Sequence, residues 1–174
     1  MEGRENLPKS GGFIIASNHS SNLDPLLLGA ACVRTINFMA KEDLFRNRLF
    51  GRLIFLVGAF PVKRNNADIA AIKEAIKRLK RGYGLAIFPQ GTRRHTDGLD
   101  VQPGIGMLAY RAQVPVIPAL IAGSQRALPI GAKFLRPSKI KIILGRPLYF
   151  GNEKSYPEIA HSVMRSISDL ASKV

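Results

Sequence analysis

Six short apolar runs alternate along this chain with segments of helical character, and four of the runs close on polar or charged residues. The runs are Phe13-Ile14-Ile15-Ala16, Ile36 to Ala40, Ala59-Phe60-Pro61-Val62, Leu85-Ala86-Ile87-Phe88, Val114 to Ala122 and Lys139 to Leu144. Bounded by Gly, Pro and other turn residues, they read as short strands. The pattern predicts helices over 24–33, over 42–57 as one or two pieces with a break at Gly51, and over Asp68 to Arg81. Two more follow, from Pro103-Gly104 to about Gln113 and from Tyr156 to Val174. Strands in alternation with helices specify an α/β fold, with a central mostly parallel or mixed sheet flanked by helices. At 174 residues and 46% apolar composition, the chain is expected to form a single domain over 1–174 with a substantial core.

Local signals sharpen some of these elements. Ile69, Ile72, Ile76 and Leu79 recur at helical spacing and predict the buried face of the helix over 68–81. Basic residues crowd the last turn of that helix, and Gly82 suits the position after it. Pro115 and Pro118 point to an edge position or an irregular start for the run they interrupt. Lys139 to Leu144 alternates basic and apolar residues, the pattern of a half-buried strand.

The first run opens onto Asn18-His19-Ser20-Ser21-Asn22-Leu23-Asp24-Pro25. Asp24-Pro25 reads as an N-cap followed by Pro at the first helical position. His19 and Asp24 therefore sit where a strand turns into a helix, and in open α/β folds ligand sites gather at the carboxyl ends of strands. An imidazole can take a proton from a hydroxyl, and a carboxylate on its far nitrogen fixes the tautomer. Alone, the pair reads equally well as a turn histidine and a helix cap. It gains meaning from Lys41, from Lys63 with Arg64, and from Gln90-Gly91-Thr92-Arg93, which close other strands. In a parallel sheet these groups share one edge. A base beside fixed cations suits an anionic substrate whose hydroxyl must be deprotonated.

The net charge is +14 and unevenly spread. Val101 to Asn152 carries seven Lys or Arg and no acid, and Leu44 to Ala67 carries five basic residues and no acid. Such blocks call for an anionic partner: a lipid surface, nucleic acid or a phosphorylated small molecule. The segment over 42–57 mixes Arg with large apolar residues and is the candidate membrane-contacting surface, with a core-packed helix as the plainer reading. No run approaches the roughly 20 apolar residues of a membrane span. The N-terminus has no apolar signal region. Cys32 is the only cysteine, so no disulfide framework is expected.

Four motifs in order then resemble the glycerolipid acyltransferase family, the family of 1-acylglycerol-3-phosphate acyltransferases. Asn18, His19 and Asp24 match its first, and Gly58-Ala59-Phe60-Pro61-Val62-Lys63-Arg64 its second. Phe88-Pro89-Gln90-Gly91-Thr92-Arg93 matches the third, and Val114-Pro115-Val116-Ile117-Pro118 the fourth. The resemblance implies transfer of a fatty acyl group from acyl-CoA or acyl-carrier protein to the free sn-2 hydroxyl of lysophosphatidic acid, giving phosphatidic acid. It implies His19 and Asp24 as the catalytic pair. It implies Lys41, Lys63, Arg64, Gln90, Gly91, Thr92 and Arg93 as the substrate-binding set, with Arg93, Lys63 and Arg64 on the acceptor phosphate. No cofactor or metal is implied; the acyl thioester is a co-substrate. The expected setting is peripheral, on the anionic cytoplasmic side of the cell membrane. Two departures stand out. Gln90 occupies a position where the family usually has Glu, and Gln hydrogen-bonds but cannot act as a base. Many members carry membrane-entering helices before the first strand; this sequence starts almost at that strand, as expected either of a naturally short form or of a piece of a longer chain.

Other classes fit less well. A serine hydrolase would need a Gly-x-Ser-x-Gly turn, and around Ser124 the second Gly is replaced by Arg126. His19, His95 and His161 are scattered, which argues against a metal site. A non-catalytic basic module binding membrane or nucleic acid would explain the charge but not the four motifs, and no nucleic-acid partner is expected. Within the family, a different lysolipid acceptor is the nearer alternative.

Overall fold

The structure is a computed structural model that describes residues 1–63, 68–90, 104–132, 134–151 and 155–172. Strands β1 (Phe13–Ser17), β2 (Ile36–Lys41), β3 (Ala59–Val62), β4 (Gly84–Ile87), β5 (Val116–Ala122) and β6 (Lys141–Leu144) form one sheet in the order β3-β2-β4-β1-β5-β6. The first five are mutually parallel, and β6 pairs antiparallel with β5. The mixed α/β architecture is the one the alternation predicts. Its consequence for function is simple: β1 to β5 all release their carboxyl ends at one edge.

Helices α1 (Asp24–Ala31), α2 (Arg48–Leu56), α3 (Ile69–Lys80), α4 (Gly104–Ala112), α5 (Ser124–Ala127) and α6 (Tyr156–Ala171) connect and cover the strands. β1 lies near the middle of the sheet, and all five of its residues are buried. Its side chains alternate between two cores. Ile14 and Ala16 join residues of α3, α4 and α6, whereas Phe13 and Ile15 join Leu28 of α1, with Phe45 and Ile54 packed alongside. Burying each large apolar side chain contributes about 1.5–3 kcal/mol. That makes β1 a rigid platform for the residues that follow it.

Gly106 sets how closely α4 can approach α6. A Cβ at this position would lie 1.9 Å from the Tyr156 carbonyl oxygen. Gly106→Ala is therefore expected to lower stability by about 1–3 kcal/mol or more, because backbone must move to admit the methyl. A denaturation midpoint equal to that of the unsubstituted chain would contradict this close approach.

Several elements differ from the sequence expectation, each for a local reason. The break in 42–57 falls before Asn47, not at Gly51. A 3-10 turn over Glu42–Phe45 ends there, and the Asn47 side chain caps α2 by accepting from Leu49 N and Phe50 N. Gly51 lies within α2, where the close Phe45 backbone leaves little room for a side chain. In α3 the buried face is Ala71, Ala75 and Leu79; Ile72 and Ile76 are half-buried and Ile69 is exposed. The small residues face inward and bring the helix close to the sheet. Arg78 is also not merely solvated: it donates to Glu74 at 2.8 Å and to Asn37 of β2, and lies over the Phe60 ring. At the end of α3, Gly82 (φ 88°) closes a Schellman turn, with Tyr83 N donating to Arg78 O and Gly82 N to Leu79 O.

β5 is no edge strand; it lies between β1 and β6. It tolerates Pro118 because that residue's carbonyl, and hence its nitrogen, faces Gly145, beyond the last paired residue of β6. β6 itself is nearly all buried rather than half-buried. Residues at the chain start cover its outer side: Glu2 N donates to Ile142 O, and Leu144 N to Glu2 O.

Candidate active site

Asn18 is the first residue beyond β1, and its side chain continues the ladder. It donates through Nδ2 to Ile121 O at 2.9 Å and accepts at Oδ1 from Ile121 N at 2.8 Å. The amide thus mimics one more strand residue against β5, while the backbone is free to turn away. His19 follows directly on that turn.

His19 Nδ1 lies 2.9 Å from Asp24 Oδ2. The same oxygen accepts from Ser20 N at 2.7 Å and Ser21 N at 2.8 Å. Asp24 is fully buried. Burial pushes its carboxyl pKa up, but the hydrogen bonds from His19, Ser21 and Ser20, with the Ser124 hydroxyl adding to them, outweigh that and hold it below the ordinary aspartate value. The Ser124 hydroxyl bonds Ser20 Oγ at 3.1 Å, and Asp24 Oδ1 has no hydrogen-bond partner among the described residues. An ionised carboxylate only accepts, so Nδ1 carries the proton and Nε2 presents its lone pair. The imidazole stacks on Phe88, at 4.2 Å between ring centroids and 23° between planes. Phe88 follows β4, the neighbour of β1. Two adjacent strand ends thus fix the ring from its edge and its face.

The expected N-cap role of Asp24 is corrected by these contacts. Leu23 is the N-cap of α1, and Asp24 is its first residue, with Pro25 next. The carboxylate turns back into the β1–α1 connection because two buried amides and an imidazole outbid a cap. Its place at a helix N-terminus is favourable for its charge as well.

Of the remaining predicted site residues, the described ones are spread along the same edge. Gln90 closes the β4 end, directly beside β1, and is partly buried. Lys41 ends β2, two strands from β1, and Lys63 follows β3, three strands away. At about 5 Å per strand, these lie roughly 10 and 15 Å along the sheet from His19. Lys41 is half-exposed and paired with Asp43, so an anion there competes with a carboxylate. Lys63 N donates to Asp68 Oδ2 at 2.8 Å, which anchors the start of α3. Lys63 also borders a cavity of about 420 Å³ lined by Phe55, Phe60 and Val62 among others. Arg64, Gly91, Thr92 and Arg93 lie outside the described residues.

Three residues that shape the site escaped the sequence reading: Phe88, Ser20 and Ser124. Phe88 sits in the third motif, but nothing in its spacing announces a stack on His19. Ser124 is fully buried behind Asp24, which also removes it as an accessible nucleophile. No group of three or more His, Cys, Asp or Glu suited to a metal occurs among the described residues. No described helix is long and apolar enough to cross a membrane.

A histidine–aspartate pair at the carboxyl edge of a mostly parallel α/β sheet can serve proton transfer from a hydroxyl, and the relatives of this chain are acyltransferases. A family model described as Acyltransferase matches residues 1–122, and the chain belongs to that family. It is 37% identical over 147 residues to a 1-acyl-sn-glycerol-3-phosphate acyltransferase of Bacillus subtilis, covering 84% of this chain and 71% of the relative. A protein of the same description from Streptococcus pneumoniae is 36% identical over 113 residues, which are 64% of this chain and 42% of that one. The crystal structure of the 1-acyl-sn-glycerophosphate (LPA) acyltransferase PlsC from Thermotoga maritima superposes with a TM-score of 0.72 at 30% identity, covering 98% of this chain and 70% of that chain.

Proposed function

We propose that this chain transfers a fatty acyl group from a thioester donor, acyl-CoA or acyl-carrier protein, to the sn-2 hydroxyl of lysophosphatidic acid, giving phosphatidic acid. The observation that carries the chemistry is the buried Asp24 carboxylate on Nδ1 of His19, which leaves Nε2 as the basic nitrogen. His19 Nε2 takes the hydroxyl proton as the acceptor oxygen attacks the thioester carbonyl. The tetrahedral intermediate collapses by breaking the carbon–sulfur bond. The imidazolium returns its proton to the leaving thiolate, so no acyl-enzyme forms and His19 ends neutral. Asp24 opposes the transient imidazolium charge throughout.

The acceptor phosphate is assigned to the basic residues of the second and third motifs, Lys63, Arg64 and Arg93, with Lys41. The resemblance supports this assignment, as does the parallel topology, which brings the ends of β2, β3 and β4 to the His19 edge. Release of free thiol from each donor, dependent on added lysophosphatidic acid, tests the whole reading. Absence of acceptor-dependent thiol release from both donors refutes it. Arg93→Ala is expected to raise the KM for lysophosphatidic acid steeply and leave that of the donor nearly unchanged, and Arg93→Lys to rescue only in part. An equal rise for a non-phosphorylated acceptor would exclude a phosphate clamp.

Gln90 favours one variant of this reading, an acceptor with a different headgroup. An uncharged amide beside the His19 edge tolerates anionic groups that a glutamate would repel. Gln90→Glu should then shift preference between two lysolipid acceptors; unchanged preference returns the assignment to lysophosphatidic acid. The working location in either case is the surface of an anionic membrane, where lysolipid acceptors reside.

A further inference from the structure

β5 runs parallel to β1, so its end opens on the His19 edge. α5 and the segment 128–137 start there. The base of this segment is tied down on three sides. Ser21 Oγ donates to Leu128 O at 2.9 Å, Arg136 N donates to Ala127 O at 2.8 Å, and Ser138 Oγ donates to Gly123 O at 3.3 Å. Between these ties the chain holds Ile130, Phe134 and Leu135 outward, 61%, 82% and 68% exposed. Three large apolar side chains held in water on one short loop mark an interaction surface. The surrounding charge says what kind. Arg126, Arg136 and Lys139 are exposed on and beside the loop, and no acidic residue occurs anywhere from Val101 to Asn152.

On the other side of β1, the chain leaving β2 leads into α2. Its outward stripe is Leu49, Leu53 and Leu56, all more than half exposed at i, i+4 and i+7, with exposed Arg48 and Arg52 alongside. A helix that turns its leucines outward and keeps arginines at the flank has the chemistry of the lipid interface. In the sheet order, β2 and β5 lie on opposite sides of β1. The two apolar, basic segments therefore follow strands that lie on either side of β1.

We infer that the 128–137 loop is a second membrane contact which, with α2, seats the His19 edge on an anionic bilayer. Phe134 and Leu135 enter the headgroup–acyl boundary and the flanking cations meet lipid phosphates. A lysolipid acceptor then presents its hydroxyl to His19 without leaving the leaflet. This deepens the membrane reading above and rests on it.

The chain has no tryptophan, so a substituted indole is the only emitter when excited at wavelengths beyond the absorption of its tyrosines. The Phe134→Trp variant should show a blue-shifted emission on mixing with vesicles containing phosphatidylglycerol, quenched by brominated acyl chains, and no shift with pure phosphatidylcholine. Leu53→Trp should respond in the same way. Phe134→Ser combined with Leu135→Ser should lower vesicle partitioning by roughly tenfold or more per side chain, the weight of burying a large apolar group. Arg126→Gln and Arg136→Gln should each weaken it by about fivefold at low salt and have little effect at high salt. Turnover of a short-chain acceptor below its micelle concentration should be unchanged in the serine variant. That last measurement separates the two claims, since it tests acyl transfer without a membrane. Emission of the Phe134→Trp variant that stays unshifted while the protein co-sediments with anionic vesicles overturns the inference. So does failure to bind anionic vesicles. An emission already blue-shifted in buffer, accompanied by a dimer in sedimentation, assigns the loop to a second copy and overturns it equally.

Discussion

His19→Ala is expected to lower acyl transfer by roughly two to four orders of magnitude, the range of a positioned acid–base group, with the fold retained. The reason for separating the two outcomes lies in the contacts. The imidazole supplies one of three donors to Asp24 Oδ2, and the amides of Ser20 and Ser21 remain to hold the carboxylate after its removal. The stack on Phe88 is lost, a loss of about 0.5–1.5 kcal/mol. His19→Asn is the sharper partner variant, because an amide can still donate to Asp24 but cannot take a proton. Both should melt cooperatively, slightly below the unsubstituted chain, and both should fail in thiol release. Turnover near the starting level in a folded His19→Ala protein would remove the base assignment. The paired carboxylate would then be a structural brace for the turn.

The sequence reaches this site unevenly, for physical reasons. Apolar runs of four to six residues between Gly and Pro have few ways to be anything but strands. β1, β2, β3 and β4 therefore fall within a residue or two of where the pattern puts them. Parallel pairing follows from the helices between them. The errors cluster where tertiary contacts outvote a local rule. Pro115 and Pro118 suggest an edge or an irregular start; β5 is interior and begins only after Pro115, and the missing Pro118 amide is harmless where the neighbouring strand has already ended. The face predicted for α3 holds in part: Leu79 is buried and Ile72 and Ile76 pack against the core, but Ala71 and Ala75 lie deepest and Ile69 is exposed. Asp24 looks like a helix cap, and only the folded turn shows which amides it serves. The same limit hides Phe88 and Ser124, which are 69 and 105 residues from His19 by their numbers and reach it only through β4 and β5. The loop over 128–137 escaped for a different reason: three apolar residues scattered among Pro, Gly and basic residues have no period, and only exposure reveals them.

Asp24→Asn should fold, lose about 1–3 kcal/mol of stability, and lose roughly a hundredfold in transfer. The geometry dictates which way the new amide points. Its oxygen must replace Oδ2, since that position faces two backbone N–H groups and Nδ1. Its nitrogen then takes the place of Oδ1, which is buried and has no hydrogen-bond partner among the described residues. In this orientation Nδ1 still donates to an oxygen, so His19 keeps the tautomer with Nε2 unprotonated. What disappears is the negative charge opposite the imidazolium, and the rate should fall for that reason alone. Asp24→Ala removes the acceptor as well, and stranding the buried Ser20 and Ser21 amides costs about 1–3 kcal/mol each. Acid provides a separate check. The folded-state pKa of Asp24 is held below the ordinary aspartate value, so its contribution to stability is fully present above the unfolded value and is lost as pH falls through the folded one. Asn does not titrate. The stability gap between the two proteins should therefore be constant near neutrality and close progressively in acid, as read by denaturant midpoints along a pH series. A gap that stays constant into the acid range would mean that Asp24 contributes no ionised carboxylate to the fold, and the electrostatic role assigned to it beside His19 would fall with it.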